Sequence, residues 1–350
     1  MTRTLGVRLD SLGDVLVTGP ALRALAAGSD HLTLLCGPRG RAAAELLPGV
    51  DDLLCWRSPW IDPEPDPVDR AEVDALVDRL SEGTFDRAVV FTSYHQSPLP
   101  TALLLRMAGV PWVAAISEDY PGSLLDVRHR FDEDVPEPER ALSLARACGF
   151  ELAEGDEGGL AVRPLDVERA RTPYVVLHPG TSVPARAWPP ELHREACHLL
   201  TARGFTVVVT GGPDERDLTA FVAGSDGIDR GGSTDLAGLS ELLAGAQVVV
   251  VGNTGPAHLA AAVGAPVVSL FAPTVPAARW APYTSRRVVL GDQNAPCRGT
   301  RAPTCPVPGH PCLTSVTPEE VVAAVTSLCG LSDLRTSPPR AARPTLRRMT

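Results

Sequence analysis

The residues best suited to bind a phosphate group follow a buried strand in the second half of the chain. Residues 248–251 form a β-branched apolar run, typical of a strand buried on both faces, and residues 252–255 (GNTG) break it. Pro256 then stands at a first helical position, and His258 lies on the first helical turn. Such a turn presents unpaired N–H groups that bind phosphate. The alternative is a connection without a ligand, which an imidazole at this position disfavours.

Two other turns in the second half carry groups suited to a nucleotide. Thr181 and Ser182 offer hydroxyls after one predicted strand, and Arg186 adds a guanidinium that can bind phosphate through two N–H groups. Glu215, after the next strand, could accept hydrogen bonds from a ribose diol or a base amine. The alternative for Arg186 is an ordinary exposed surface residue.

Two carboxylates flank a glycine in the first strand-to-helix turn of the chain. Asp10 and Asp14 enclose Gly13 in the sequence DSLGD, which is not a dinucleotide-binding GxGxxG turn. Carboxylates are favourable at a helix N-terminus but repel phosphate, so this turn is unsuited to a diphosphate. Either both residues cap the helix, or one of them is a general base that faces a cleft.

Three of the eight cysteines cluster near the C-terminus with a histidine: Cys297, Cys305, His310 and Cys312. They are weak candidates for a structural zinc, because the spacing of the first two cysteines exceeds that of the usual paired ligands. A proline-stiffened loop with free thiols is the favoured interpretation. The other five cysteines are scattered through apolar segments and are expected to be core residues.

Composition excludes several classes of function. The chain has 350 residues, of which 44% are hydrophobic and 21% charged, as in globular proteins. Its net charge of −10 argues against nucleic-acid binding. All 32 basic residues are arginine, which excludes Schiff-base chemistry and a phosphate-binding lysine. Neither a signal peptide nor a transmembrane run is apparent, so we expect a cytoplasmic protein, with peripheral contact to the inner membrane face left open.

The elements that must position these residues alternate between strand and helix in both halves. This order predicts two Rossmann-like, doubly wound parallel-sheet domains, residues 1–160 and 170–330, whose strand ends face each other across a cleft. Residues 155–172 are a candidate hinge. Residues 58–67, 92–98 and 117–136 are expected to be loops at the cleft, and the Pro- and Arg-rich residues 331–350 are expected to be disordered.

Four segments together resemble glycosyltransferase family 9, which includes the ADP-heptose:lipopolysaccharide heptosyltransferases. They are RLDSLGDVLVTGPALRAL, HPGTSVPARAWPPE, GGPDE and VVGNTGPAHLAAAVGAPVVSLF, and they occur in the family's order between residues 3 and 328. The resemblance implies a GT-B fold and inverting transfer of a sugar, heptose-like as a first guess, from a nucleoside-diphosphate donor. The acceptor would be a hydroxyl of a glycan, glycolipid or secondary metabolite.

The resemblance also implies roles for single residues. Asp14 would be the general base, with Asp10 and Gly13 on the acceptor side, and Arg186 would stand where the family has a lysine and balance the charge of the leaving diphosphate. The donor would be held by Thr181, Ser182, Glu215, Asn253, Thr254, Gly255 and His258. Asn253 replaces the family's usual aspartate, which leaves the donor sugar open. No acidic metal-binding pair lies near these turns, so we expect that no metal or other cofactor is required. We also expect the protein to be a monomer.

Two other functions compete with sugar transfer. A sugar-nucleotide epimerase can share the architecture, but it would need acid and base groups around the donor sugar, and no additional cluster of carboxylates or histidines is evident. A non-catalytic nucleotide-sugar-binding protein is the third hypothesis. A dehydrogenase is disfavoured because no turn carries GxGxxG.

Overall fold

The computed structural model of the protein describes residues 1–131, 133–165 and 172–330. The N-terminal lobe contains β1 (Arg3–Arg8), α1 (Leu12–Ala27), β2 (His31–Cys36), α2 (Arg41–Leu46), β3 (Asp52–Cys55), α3 (Arg70–Glu82), β4 (Arg87–Val90), α4 (Leu99–Met107), β5 (Val113–Ile116), β6 (Val127–His129) and α5 (Glu137–Ala147). Its six strands are parallel, in the order β3-β2-β1-β4-β5-β6.

The C-terminal lobe repeats this arrangement. It contains β7 (Tyr174–His178), α6 (Pro190–Ala202), β8 (Thr206–Val209), α7 (Arg216–Ala223), β9 (Ile228–Asp229), α8 (Leu236–Ala244), β10 (Val248–Gly252), α9 (Gly255–Ala262), β11 (Val267–Leu270), α10 (Ala277–Trp280), β12 (Arg287–Leu290), α11 (Pro311–Thr314) and α12 (Pro318–Leu328). The sheet order β12-β11-β10-β7-β8-β9 has the same topology as the first lobe. The predicted pair of doubly wound α/β domains is therefore confirmed.

Local sequence explains the central strands and the helices that follow them. All five residues of β10, VVVVG, are buried, as expected for a strand covered on both faces. The backbone of Ser11, the N-cap residue of α1, donates to the Asp14 carboxylate at 3.2 Å, so α1 begins three residues earlier than the hydrophobic pattern indicates.

Three edge strands were not predicted from the sequence. One of them, β9, has only two residues, both exposed, and pairs with β8 through Val208 opposite Ile228. β6 lies inside residues 117–136, which were expected to be a mobile loop, and it pairs with β5 through Ala114 opposite Val127. β12 pairs with β11 through Val267 opposite Arg287. β6 and β12 are short and only partly buried, so they lack the continuous apolar run that identifies central strands.

The two lobes share an apolar contact beneath the cleft. Leu16 of α1 and Leu259 of α9 belong to one continuous hydrophobic core that includes residues of both sheets. The helices approach closely because Gly255 has no side chain: a Cβ there would lie 2.6 Å from Cδ2 of Leu12. The lobes therefore meet through packed helices as well as through the connecting chain.

The segment that joins the lobes is irregular over the residues described. Arg23 of α1 fastens it through Asp156, with Nε 2.6 Å from the carboxylate. The rest of the candidate hinge, residues 166–171, and the C-terminal tail expected to be disordered, residues 331–350, lie outside the described residues. Among the described residues, no helix is both long and apolar enough to cross a membrane.

Candidate active site

A cavity of about 570 Å³ lies between the lobes. Its walls include the loops that follow β1 and β4 in one lobe and β7 and β10 in the other. These strands flank the points where the strand order reverses in each sheet, which is where α/β sheets bind ligands. Nine of the residues predicted for the site line the cavity: Asp10, Gly13, Asp14, Ser182, Arg186, Asn253, Thr254, Gly255 and His258.

Asp14 presents a carboxylate to the cavity from the first turn of α1. Its Oδ1 accepts from Nη2 of Arg8 at 3.0 Å, and its Oδ2 accepts from the Ser11 hydroxyl at 2.6 Å. Burial alone would raise the pKa of Asp14, but Arg8 and the Ser11 donors outweigh burial and lower it. The carboxylate is therefore ionised at neutral pH, and it both caps the helix and faces the cleft.

Arg8 joins the two carboxylates of the first turn. Its guanidinium is buried, with Nε 2.9 Å from Asp10 and Nη2 3.0 Å from the Ser93 hydroxyl. Asp10 also accepts from the side-chain amide of Gln96, which follows β4. Burial, opposed by Arg8 and reinforced by Asp14, raises the pKa of Asp10 to about 6. The two aspartates therefore titrate differently although they share one guanidinium.

The N-termini of α1 and α9 meet at one edge of the cavity. A Cβ at Gly13 would lie 3.1 Å from Cδ2 of His258 and 3.4 Å from Cα of Gly255. His258 is buried, and its Nδ1 has no hydrogen-bond partner among the described residues. Burial lowers the pKa of His258 to about 4, so the imidazole is neutral. Thr254, the N-cap residue of α9, has no side-chain cap, which leaves the helix N-terminus open toward the cavity.

Arg186 and Asn253 of the C-terminal lobe face the cavity without satisfying all their hydrogen-bond donors. Within the described chain, Nε of Arg186 and Nδ2 of Asn253 are buried and have no hydrogen-bond partner. Burial lowers the pKa of Arg186, and Asp14 opposes this effect. A largely buried guanidinium without a counter-ion is unfavourable in an empty protein, so both groups point to an anionic or polar ligand.

Thr181 and Glu215 lie outside the cavity lining. The Thr181 hydroxyl is used within its own turn, where it donates to the carbonyl of Val183 at 2.7 Å. The Glu215 carboxylate accepts from the backbone of Gly212 at 2.7 Å and packs against Gly180. Both residues remain at the carboxyl end of the sheet beside the cavity, and their predicted contacts with the donor stay predictions.

The segment with three cysteines and His310 supports the Arg186 turn. Nε2 of His310 contacts the carbonyl of Ala185 at 3.0 Å, and the backbone of Ala185 donates to Pro303 at 3.0 Å. Cys297 and Cys312 are buried in the core of the lobe, and Cys305 contacts the carbonyl of Val307. Among the described residues, no group of three or more such side chains is arranged to hold a metal ion. The four residues named as weak zinc candidates are therefore not gathered into a metal site in the described structure, and the absence of a bound zinc stays a prediction.

Four residues of the site were not singled out from the sequence: Arg8, His95, Gln96 and Arg301. His95 and Gln96 do lie in residues 92–98, which were expected to form a loop at the cleft. Arg8 had a signal, since an arginine that directly follows the apolar residues 5–7 of a strand must find a partner when buried. Arg301 had none, because it lies about two hundred residues from its contact His95 in the other lobe. Only tertiary structure places such residues together.

The chain matches the model of a known family over residues 73–309, and that model is described as glycosyltransferase family 9 (heptosyltransferase). The match covers more than half of the chain. The protein belongs to glycosyltransferase family 9. The match begins after Asp10 and Asp14, so their roles in this family 9 protein are argued from the geometry above.

Individual relatives agree with the family assignment. Lipopolysaccharide heptosyltransferase 1 of Pseudomonas aeruginosa is 31% identical over 238 residues, which cover 65% of each chain. Lipopolysaccharide heptosyltransferase 1 of Escherichia coli K12 is 27% identical over 299 residues, covering 78% of this family 9 chain and 89% of that relative.

Solved structures agree on the fold. ADP-heptose lipopolysaccharide heptosyltransferase II of E. coli superposes with a TM-score of 0.72 at 21% identity, covering 95% of this chain and 100% of that one. A family 9 glycosyltransferase of Veillonella parvula gives a TM-score of 0.77 at 17% identity, with 95% and 98% covered. The GT-B architecture expected for this family 9 member is confirmed.

Proposed function

We propose that the protein is an inverting glycosyltransferase that moves a heptose-like sugar from a nucleoside diphosphate to an acceptor hydroxyl. One observation carries the proposal: one cavity has an ionised carboxylate, Asp14, on one lobe and on the other lobe a guanidinium, Arg186, whose Nε has no hydrogen-bond partner in the described part of the chain. In-line displacement at an anomeric carbon needs a base and an anion-binding group on opposite sides of the reacting carbon.

The reaction assigns a task to each lobe. Asp14 takes the proton of the acceptor hydroxyl while the hydroxyl oxygen attacks the anomeric carbon. The bond from that carbon to the diphosphate breaks, and its electron pair stays on the leaving oxygen. Arg186 and the open N-terminus of α9 balance the charge that develops there. Because Arg8 and Ser11 lower its pKa, Asp14 is a weak base, so we expect proton transfer when the attack is well advanced.

The donor and acceptor are proposed from the relatives. Structures of E. coli heptosyltransferase WaaC contain ADP and ADP-2-deoxy-2-fluoro heptose, and the curated relatives are named lipopolysaccharide heptosyltransferases. ADP-heptose is therefore the first donor to test, with lipopolysaccharide that lacks its heptose as acceptor. A cytoplasmic location, peripheral membrane contact and a monomeric state stay predictions from the sequence.

The test is Asp14→Asn, assayed with ADP-heptose, this acceptor and EDTA. We expect the variant to lose about 10²- to 10⁴-fold in kcat while its affinity for ADP changes by less than about threefold. The EDTA tests the expectation that transfer needs no metal. Asp235→Asn is the matched control, because Asp235 caps α8 but lies outside the cavity.

Three outcomes would contradict the proposal. Full activity of Asp14→Asn would remove the general base from the scheme. Conversion of the donor without an acceptor would favour an epimerase. A wild-type protein that binds ADP-heptose but modifies neither substrate would support the non-catalytic alternative.

A further inference from the structure

Arg301 reaches across the cleft from the C-terminal lobe. Its Nη2 donates to Nε2 of His95 at 2.7 Å, and its guanidinium carbon lies 5.5 Å from the centre of the Tyr94 ring. The residue has a φ of +56°, a left-handed conformation that is uncommon outside glycine. Backbone hydrogen bonds maintain it, including the one that Arg301 donates to Thr274 at 2.9 Å.

Arg301 and Arg186 line the same cavity and are presented by two connected loops. The backbone of Ala185 donates to the carbonyl of Pro303 at 3.0 Å, which links the turn of Arg186 to the segment of Arg301. The charge of Arg301 adds to burial in lowering the pKa of Arg186, so the two guanidinium groups repel each other. Within the described parts of the chain, neither arginine forms an ion pair.

His95 holds Arg301 without neutralising it. Burial, assisted by the charge of Arg301, lowers the pKa of His95 to about 4, so the imidazole is neutral and accepts the hydrogen bond. A carboxylate in this position would compete with an incoming anion for the guanidinium. A neutral acceptor leaves the charge of Arg301 available to a ligand. Because the Arg301 side chain is exposed, it can turn toward that ligand.

We propose that Arg301 is a second diphosphate-binding residue, which leaves His95 and joins Arg186 on the leaving group when the donor enters. The inference rests on the proposed function and extends it. Two guanidinium groups match the two charged phosphates of a sugar-linked diphosphate, and an anion between them would relieve their mutual repulsion.

The test compares Arg301→Gln with Arg298→Gln by titration calorimetry with ADP and with AMP. Arg298 is an exposed arginine of the same segment that does not line the cavity, so it controls for the loss of one charge. We expect Arg301→Gln to weaken ADP binding by about tenfold to a hundredfold, with a change in AMP affinity of less than about threefold. Arg301→Lys, which keeps the charge, should recover part of the loss.

Each other outcome has a definite meaning. Equal ADP affinities of Arg301→Gln and Arg298→Gln would overturn the inference and leave the proposed function intact. An equal loss of affinity for ADP and AMP would also overturn the inference, because Arg301 would then act on both nucleotides through general electrostatic attraction. A wild-type protein that binds neither ADP, GDP nor UDP would overturn the proposed function together with this inference. Thermal unfolding of every variant separates lost binding from lost folding.

Discussion

Replacement of Arg186 by methionine should have opposite effects on stability and on binding. Arg186 is largely buried, its Nε has no hydrogen-bond partner among the described residues, and burial lowers its pKa. An unsatisfied buried polar group costs about 1–3 kcal/mol, and a charged group costs more. Methionine fills a similar volume without that cost. We therefore expect the free energy of unfolding of the ligand-free protein to rise by about 1–2 kcal/mol.

Arg140→Met provides the matched comparison. Arg140 is also buried, but its Nη1 donates to the carbonyl of Thr92 at 2.8 Å and lies 3.5 Å from the Glu137 carboxylate. Removal of Arg140 leaves Glu137 buried without this partner. We expect the free energy of unfolding to fall by about 3–5 kcal/mol, as when one member of a buried ion pair is removed. Methionine should therefore stabilise the folded protein at position 186 and destabilise it at position 140.

The assay is urea unfolding without ligand, followed by calorimetric titration with ADP. Arg186→Met should weaken ADP binding by about tenfold to a hundredfold, which corresponds to the loss of one or two charge-assisted hydrogen bonds. The reasoning would be refuted if Arg186→Met destabilised the empty protein as strongly as Arg140→Met. Unchanged ADP affinity would equally remove Arg186 from the donor site.

Two further predictions concern pH and packing. The folded-state pKa of Asp14 lies below its ordinary value of 3.8, so this carboxylate contributes stability above pH 3.8 that is lost as the pH falls through its folded-state pKa. The value of kcat/KM should not change with pH until the pH falls to the folded-state pKa of Asp14. A midpoint near the pKa of Asp10, about 6, would instead identify Asp10 as the base. Gly255→Ala should destabilise the protein by about 0.5–1.5 kcal/mol, because the new Cβ displaces Cδ2 of Leu12, the end of a flexible side chain, from its rotamer. Leu12→Ala in the same chain should remove that clash, and unfolding of the single and double variants measures the coupling.

The central part of the fold could be predicted because its signals are local. Buried Val runs such as those of β10 and β11, followed by Gly and Pro, define strand and turn within a few residues. The edge strands β6, β9 and β12 were not predicted, because partial or full exposure leaves a mixed sequence that resembles a loop. The predicted start of helix α1 was three residues too late, because its first turn carries Gly13 and Asp14, which serve the site and the cap, in place of an apolar pattern.

For the site, the sequence alone determined which turns carry chemistry: glycine turns at strand ends, with Asp14 in one half and Arg186 and His258 in the other. Only the tertiary structure decided how those groups are used. It buried Arg8 beside Ser93, packed Gly13 against His258 and brought Arg301 to His95 across the cleft. The physical reason is that strand and turn preferences act over a few residues, whereas charge pairing and desolvation depend on which distant segments the packed lobes bring together.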